Sequence, residues 1–182
     1  IGNTMLAQRA AAHLVQNLQV PAIIGPLFST PFTDVVSQIA RPAGVMAIAP
    51  AATAPSLTTL ADDGLAFRML ASDVHQAKAI ARRVQELVPS NVTIFVKDDA
   101  YGNGLLNELT NELNAIGLGS GQRRIVRYDD PATFGFDPVQ IEAEFTARVG
   151  EALANGWYGD VAIYLGTSEI VQLALGYSGA IL

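Results

Sequence analysis

The sequence predicts an α/β protein built on parallel sheets, and three observations predict it. Short apolar runs of strand length alternate with longer segments whose apolar residues recur every three or four positions. Half of the 182 residues are hydrophobic and 15% are charged, which supports a sizeable core and excludes a disordered or collagen-like chain. Several of the apolar runs are followed by Gly, Pro, Ser or Thr leading into a helix pattern, the βαβ arrangement whose ligands gather at the carboxyl ends of strands.

Taken in order, Leu6, Ala10, Leu14 and Leu18 predict a helix over about residues 4–18, and Val20–Ile24 a buried strand broken by Gly25-Pro26. Phe32, Val35, Val36 and Ile39 stripe a second helix, with Ser29 and Thr30 as cap candidates and Pro31 near its first position. Val45–Ile48 and Leu65–Met69 read as strands. Asp73 is expected to cap a helix whose inner face is Val74, Ala77, Ile80, Val84 and Leu87. The scheme then repeats: strand Asn91–Val96, a helix striped by Leu105, Leu109, Leu113 and Ile116, a strand near Gln122–Tyr128, a helix with Ile141, Phe145, Val149 and Leu153, and strand Asp160–Leu165. The expected junction lies near Leu70–Asp73, dividing residues 1–72 from residues 73–182.

Charge separates the two parts. Residues 1–72 are neutral overall with only six charged groups, and the whole net charge of −6 belongs to the rest. So few charges predict that much of the first part is buried. A negative chain without clustered Lys and Arg argues against nucleic acid or an anionic membrane as partner. The absence of Cys excludes disulfides, thiolate metal sites and Cys nucleophiles. No stretch approaches the ~18 uninterrupted apolar residues of a membrane-spanning helix, and the first residues have no signal-peptide pattern.

The strand mouths hold the candidate site residues. After the first strand come Leu27, Phe28, Ser29 and Thr30, where hydroxyls and unpaired amides at a helix start suit an anion; the plainer reading is an N-cap. The loop Ala49–Pro55, carrying Ala51, Ala52 and Thr53, is held extended by two prolines and offers carbonyls and a hydroxyl, or is an ordinary turn. Beyond Val96, Tyr101 offers a ring and a hydroxyl, and Gly102 allows a tight approach to the next helix. Asp98 and Asp99 fit solvated or capping groups better than a metal pair. Beyond Leu165 stand Thr167 and Ser168, again hydroxyls before a helix.

Enzyme signatures are missing. Gly117–Gly121 follows a helix rather than linking a strand to one, so it reads as a helix stop and not a dinucleotide fingerprint. The sequence has no phosphate-binding loop and no G-x-S-x-G elbow, and His13 and His75 sit far apart in predicted helices. No catalytic residue, metal or cofactor is expected.

Five stretches in order resemble the periplasmic-binding-protein family typified by the leucine/isoleucine/valine-binding proteins of ABC transporters. They are Pro21–Pro26 through Ser29-Thr30, Ile48–Pro55, Phe67-Arg68, Asp73–Ala77 and Asp98–Gly104. The resemblance implies two Rossmann-like parallel-sheet lobes of a clamshell, both incomplete at the chain ends, since the family's opening strand–helix–strand unit is absent and its acidic partner for the ligand ammonium lies beyond Leu182. It implies that Ser29 and Thr30 hold a ligand carboxylate, that Ala51 and Thr53 meet the ammonium, and that Leu27 and Phe28 line the side-chain pocket. From the second lobe, Tyr101 closes over the ligand with Thr167 or Ser168 beside it. Phe28 stands where the family often carries a small or sulfur-containing residue, which reshapes the pocket.

The function so implied is a non-enzymatic, periplasmic or extracellular solute-binding protein, lipid-anchored in its full-length form, that delivers an amino acid or similar zwitterion to an ABC permease. The alternative is a ligand-sensing domain of a receptor or regulator, and an α/β enzyme is a third reading. Exposed sheet edges near Pro21–Ile24 are further expected to support self-association.

Overall fold

The alternating pattern folds as read. The computed structural model of the protein describes residues 3–181 and resolves into two compact units, residues 1–75 and 76–182. Expectations resting on Ile1, Gly2 and Leu182 lie outside the described residues.

The first unit is a three-stranded parallel sheet in the order β1-β2-β3, formed by Ala22–Ile24, Met46–Ala49 and Ala66–Arg68. Helix α1 (Thr4–Ala12) widens into a π-type segment at His13–Asn17, and α2 (Ser29–Val35) does the same at Val36–Ala40. The small side chains of Ala47 and Ala49 let Phe32, Val35 and Val36 approach the sheet, and all five are essentially inaccessible. On the other face Ile24, Ile48 and Phe67 stand side by side in register, and Ile24 is 76% exposed. Among the described residues, strand β1 pairs only with β2 and is an edge.

The second unit begins within α3 (Asp73–Leu87) and contains a parallel sheet in the order β5-β4-β6, formed by Arg123–Tyr128, Val92–Lys97 and Val161–Leu165. Every residue of β4 is buried because helices cover both faces. Val92, Ile94 and Val96 pack with Ala77, Ala81 and Val84 of α3 and with Leu105, Leu109 and Leu113 of α4 (Ala100–Ala115). Phe95 points the other way, into a cluster with Phe145 and Val149 of α5 (Pro138–Leu153) and Leu173 and Tyr177 of α6 (Ile170–Ile181). Each fully buried Leu contributes about 2 kcal/mol of transfer free energy. Thr93 joins that second face without cost, since its hydroxyl meets both Tyr177 and Trp157 Nε1. Because β4 lies between β5 and β6, the chain reverses its winding direction beside β4, which makes the carboxyl ends of β4 and β6 the topological switch point where open α/β sheets take ligands.

Candidate functional site

In the first unit, the loop after β2 is pinned from three sides. Ser29 Oγ accepts from Thr53 N–H at 3.3 Å and from Ala54 N–H at 3.2 Å, and Ser29 is only 2% exposed. Arg68 donates to the Ala54 carbonyl and to Thr58 Oγ1. Asp73 clamps Thr53 twice: its amide donates to the Thr53 carbonyl, and its carboxylate accepts from Thr53 Oγ1, each at 3.0 Å. Ala51 is exposed, and among the described residues no hydrogen bond reaches its carbonyl.

Two expectations need correction. Phe28, not Ser29 or Thr30, occupies the N-cap of α2, and no side chain caps it. Ser29 is the first helical residue, and its hydroxyl turns to the neighbouring loop because two buried amides there need an acceptor. Asp73 is likewise the first residue of α3, with its carboxylate committed to Thr53. Thr30 and Phe28 are half-buried beside Ser29, whereas Leu27 is 49% exposed. Ala52 is buried against the core of this unit.

Burial pushes the Asp73 carboxyl above its usual range, with the Thr53 hydrogen bond and the Arg68 charge opposing the shift. A raised acid pKa favours the folded state fully below the ordinary value of 3.8, and that contribution is lost as pH rises through the folded value. Wild-type unfolding free energy should therefore fall more steeply from pH 4 upward than that of Asp73→Leu, as read by urea titration at successive pH values. Parallel curves would contradict the assignment.

In the second unit, the mouths of β4 and β6 carry the remaining candidates. Tyr101 packs against the core, and its hydroxyl accepts from Gln76 Nε2 at 3.4 Å. Gly102 is obligatory: a methyl group there would collide with the Lys97 carbonyl. Asp99 caps α4 through the Gly102 amide, and Asp98 accepts from Asn103 Nδ2, so both carboxylates have structural duties. Thr167 donates its amide and its hydroxyl to Glu169, and Ser168 is exposed. Gly166 lets this turn lie against Tyr128, whose hydroxyl an added methyl would strike.

Between these mouths lies a charged cluster that sequence reading missed. Lys97, 5% exposed at the end of β4, pairs with Asp130 at 2.9 Å and Asp99 at 3.3 Å. Burial works against its charge, yet the Asp130 hydrogen bond and the Asp99 charge hold the ammonium above its usual pKa. Burial also works against the Glu169 carboxylate, but the Thr167 hydrogen bonds and the Lys97 charge prevail and lower its pKa. Tyr128 donates to Glu169 at 3.1 Å, and burial together with that carboxylate pushes the phenol's pKa up. A lysine ending an otherwise apolar strand was the available signal.

A separate groove of about 560 Å³ runs between α5 and α6, lined by residues including Phe145, Val149, Leu175 and Gly176. It contains none of the candidate site residues read from the sequence.

Two parallel-sheet α/β units with polar strand mouths define the class: this is the periplasmic-binding-protein fold. The family model described as "Receptor family ligand binding region" matches residues 2–120, and the chain belongs to that family. It is similar to Glutamate receptor 2.7 of Arabidopsis thaliana, 34% identical over 110 residues, 60% of this chain and 11% of that protein. It is similar also to the Leu/Ile/Val-binding protein of Escherichia coli K12, 32% identical over 121 residues, 66% of this chain and 31% of that protein. Among solved structures, an ABC transporter substrate-binding protein from Desulfitobacterium hafniense in complex with Leu superposes with a TM-score of 0.63 at 24% identity, covering 95% of this chain and 54% of that one. A periplasmic binding protein from Burkholderia mallei gives 0.68 at 13% identity, covering 98% and 44%. At those identities the structures establish the fold alone. The chain thus spans well under two thirds of the length of each relative. These relatives are binding proteins and receptors, so the chain's family has a ligand-binding role.

Proposed function

We propose that the chain is ligand-binding sequence of a non-enzymatic solute-binding protein that holds an amino acid, branched-chain or a similar small zwitterion. The observation that carries this reading is the Ser29 hydroxyl. Its two acceptor positions are filled by the Thr53 and Ala54 amides, so its proton remains as a donor suited to a carboxylate. The Ala51 carbonyl and the Thr53 hydroxyl suit an ammonium, and Leu27, Phe28, Thr30 and Ala52 complete the first unit's share. Tyr101, Gly102, Thr167 and Ser168 are the proposed contacts from the second. Residues 1–72 and 73–182 would be parts of two lobes. The relative named for Leu/Ile/Val binding supports the zwitterion; delivery to an ABC permease from the periplasm or cell exterior is part of the same proposal.

A second reading, a ligand-sensing receptor domain, is favoured by the similarity to plant glutamate receptors. A transmembrane or signalling segment following in the gene would favour it, whereas adjacent permease genes would favour transport. Self-association through the β1 edge is proposed as well, and concentration-independent monomer by light scattering would reject it.

A thermal-shift screen of amino acids and small acids tests the main reading. A binder at a hundred times its Kd adds about 2.7 kcal/mol. No response from any amino acid would reject it.

A further inference from the structure

We infer that Asp73 is a positioning residue: by taking the only proton of the Thr53 hydroxyl, it leaves that hydroxyl as a pure acceptor and makes the site prefer ligands bearing an ammonium group over the same ligands without one. This rests on the reading that the loop after β2 contacts a zwitterion.

A threonine hydroxyl has one proton and two acceptor positions, and it turns freely unless a partner holds it. Here the partner is a carboxylate 3.0 Å away on a residue only 1% exposed. The ionised carboxylate accepts only, so the Thr53 proton is committed. The second bond of the pair, from the Asp73 amide to the Thr53 carbonyl at 3.0 Å, fixes the spacing between the two residues. The Thr53 amide is spent on Ser29 Oγ. Every polar group of Thr53 is thereby occupied except the remaining lone pairs of its hydroxyl, and the residue is half-buried rather than enclosed. Ser29 is arranged in the opposite sense, with acceptor positions filled and a proton to give. The loop therefore presents one obligate donor and one obligate acceptor side by side. A freely turning Thr53 hydroxyl would meet a carboxylate as readily as an ammonium; Asp73 removes that choice.

The test uses the whole chain and isothermal titration calorimetry. The twenty standard L-amino acids are screened first, and the tightest binder is paired with its des-amino acid, 4-methylpentanoate for L-leucine. The ratio of the two affinities is then compared in wild type, Asp73→Leu and Thr53→Val. Leucine keeps the branching of aspartate without an acceptor, and the backbone bond to Thr53 survives. Both variants should lower the ratio about ten-fold, the size of one charge-assisted hydrogen bond, with the des-amino acid bound nearly as before. General loosening of the loop would weaken both ligands alike, and that result, or an unchanged ratio, overturns the inference while leaving amino-acid binding intact. Should Asp73→Leu fail to fold, Asp73→Ala takes its place, with Thr53→Val as the reference for complete loss of the hydroxyl. Failure of wild type to bind any amino acid overturns the functional reading first, and this inference with it.

Discussion

Replacing Lys97 by Met should destabilise the second unit by about 3 kcal/mol, near the low end for removing one member of a buried ion pair. The lysine is 5% exposed, and its partners Asp99 and Asp130 keep side-chain exposures of 14% and 24%. Deleting the cation leaves those carboxylates, with Glu169 nearby, in a partly dry site without their counter-charge. Asp99 keeps its Gly102 cap and Asp130 its contact with the Ala132 amide, which limits the damage. The Glu169 pKa should also rise, because the Lys97 charge helps hold it down. Urea unfolding reads the first effect and an NMR titration of the Glu169 carboxyl the second. A loss under about 1 kcal/mol, the range of an exposed pair, would mean that water already solvates the cluster.

Ser29→Ala should cost about 2 kcal/mol in stability and weaken amino-acid binding by at least about ten-fold. The stability loss arises in the loop rather than in α2, since Ser29 is not the cap of that helix. Without the hydroxyl, the amide of Ala54, a residue with no exposed surface, has no acceptor, and the Thr53 amide loses the same partner. An unpaired buried amide costs ~1–3 kcal/mol; Thr53 is half-buried and recovers part of that from water. The affinity loss combines the missing donor with a loop no longer held in shape. Urea unfolding and calorimetry measure the two separately. Unchanged affinity alongside lowered stability would make Ser29 a loop anchor and nothing more.

Much of this was legible because βαβ units carry their pattern locally. The buried run Val92–Val96 and the stripe Leu105, Leu109 and Leu113 state their periods within a few residues, and the strand mouths follow from where each run stops. What escaped were partners distant in sequence. Ser29 announces a hydroxyl at a helix start, but whether it caps that helix or anchors a loop depends on amides 24 and 25 residues later. Asp73 reads as a helix cap for the same reason: its spacing to the helix is local, and its bond to Thr53 is not. Lys97 ends an apolar strand, yet only folding of β5 brings Asp130 beside it. The turn at Thr167 was recognisable from its glycine and hydroxyls, while its use of Glu169 as acceptor was not.

The most direct measurement is an amide ¹H–¹⁵N titration of the chain with the amino acid that gives the largest thermal shift. The account predicts the greatest perturbations at Ser29, Thr30, Ala51 and Thr53, the first unit's proposed polar contacts with the zwitterion, and at the Ala54 amide that Ser29 holds. Perturbations confined to Phe145, Val149, Leu175 and Gly176 would place the ligand in the groove between α5 and α6, and would contradict it.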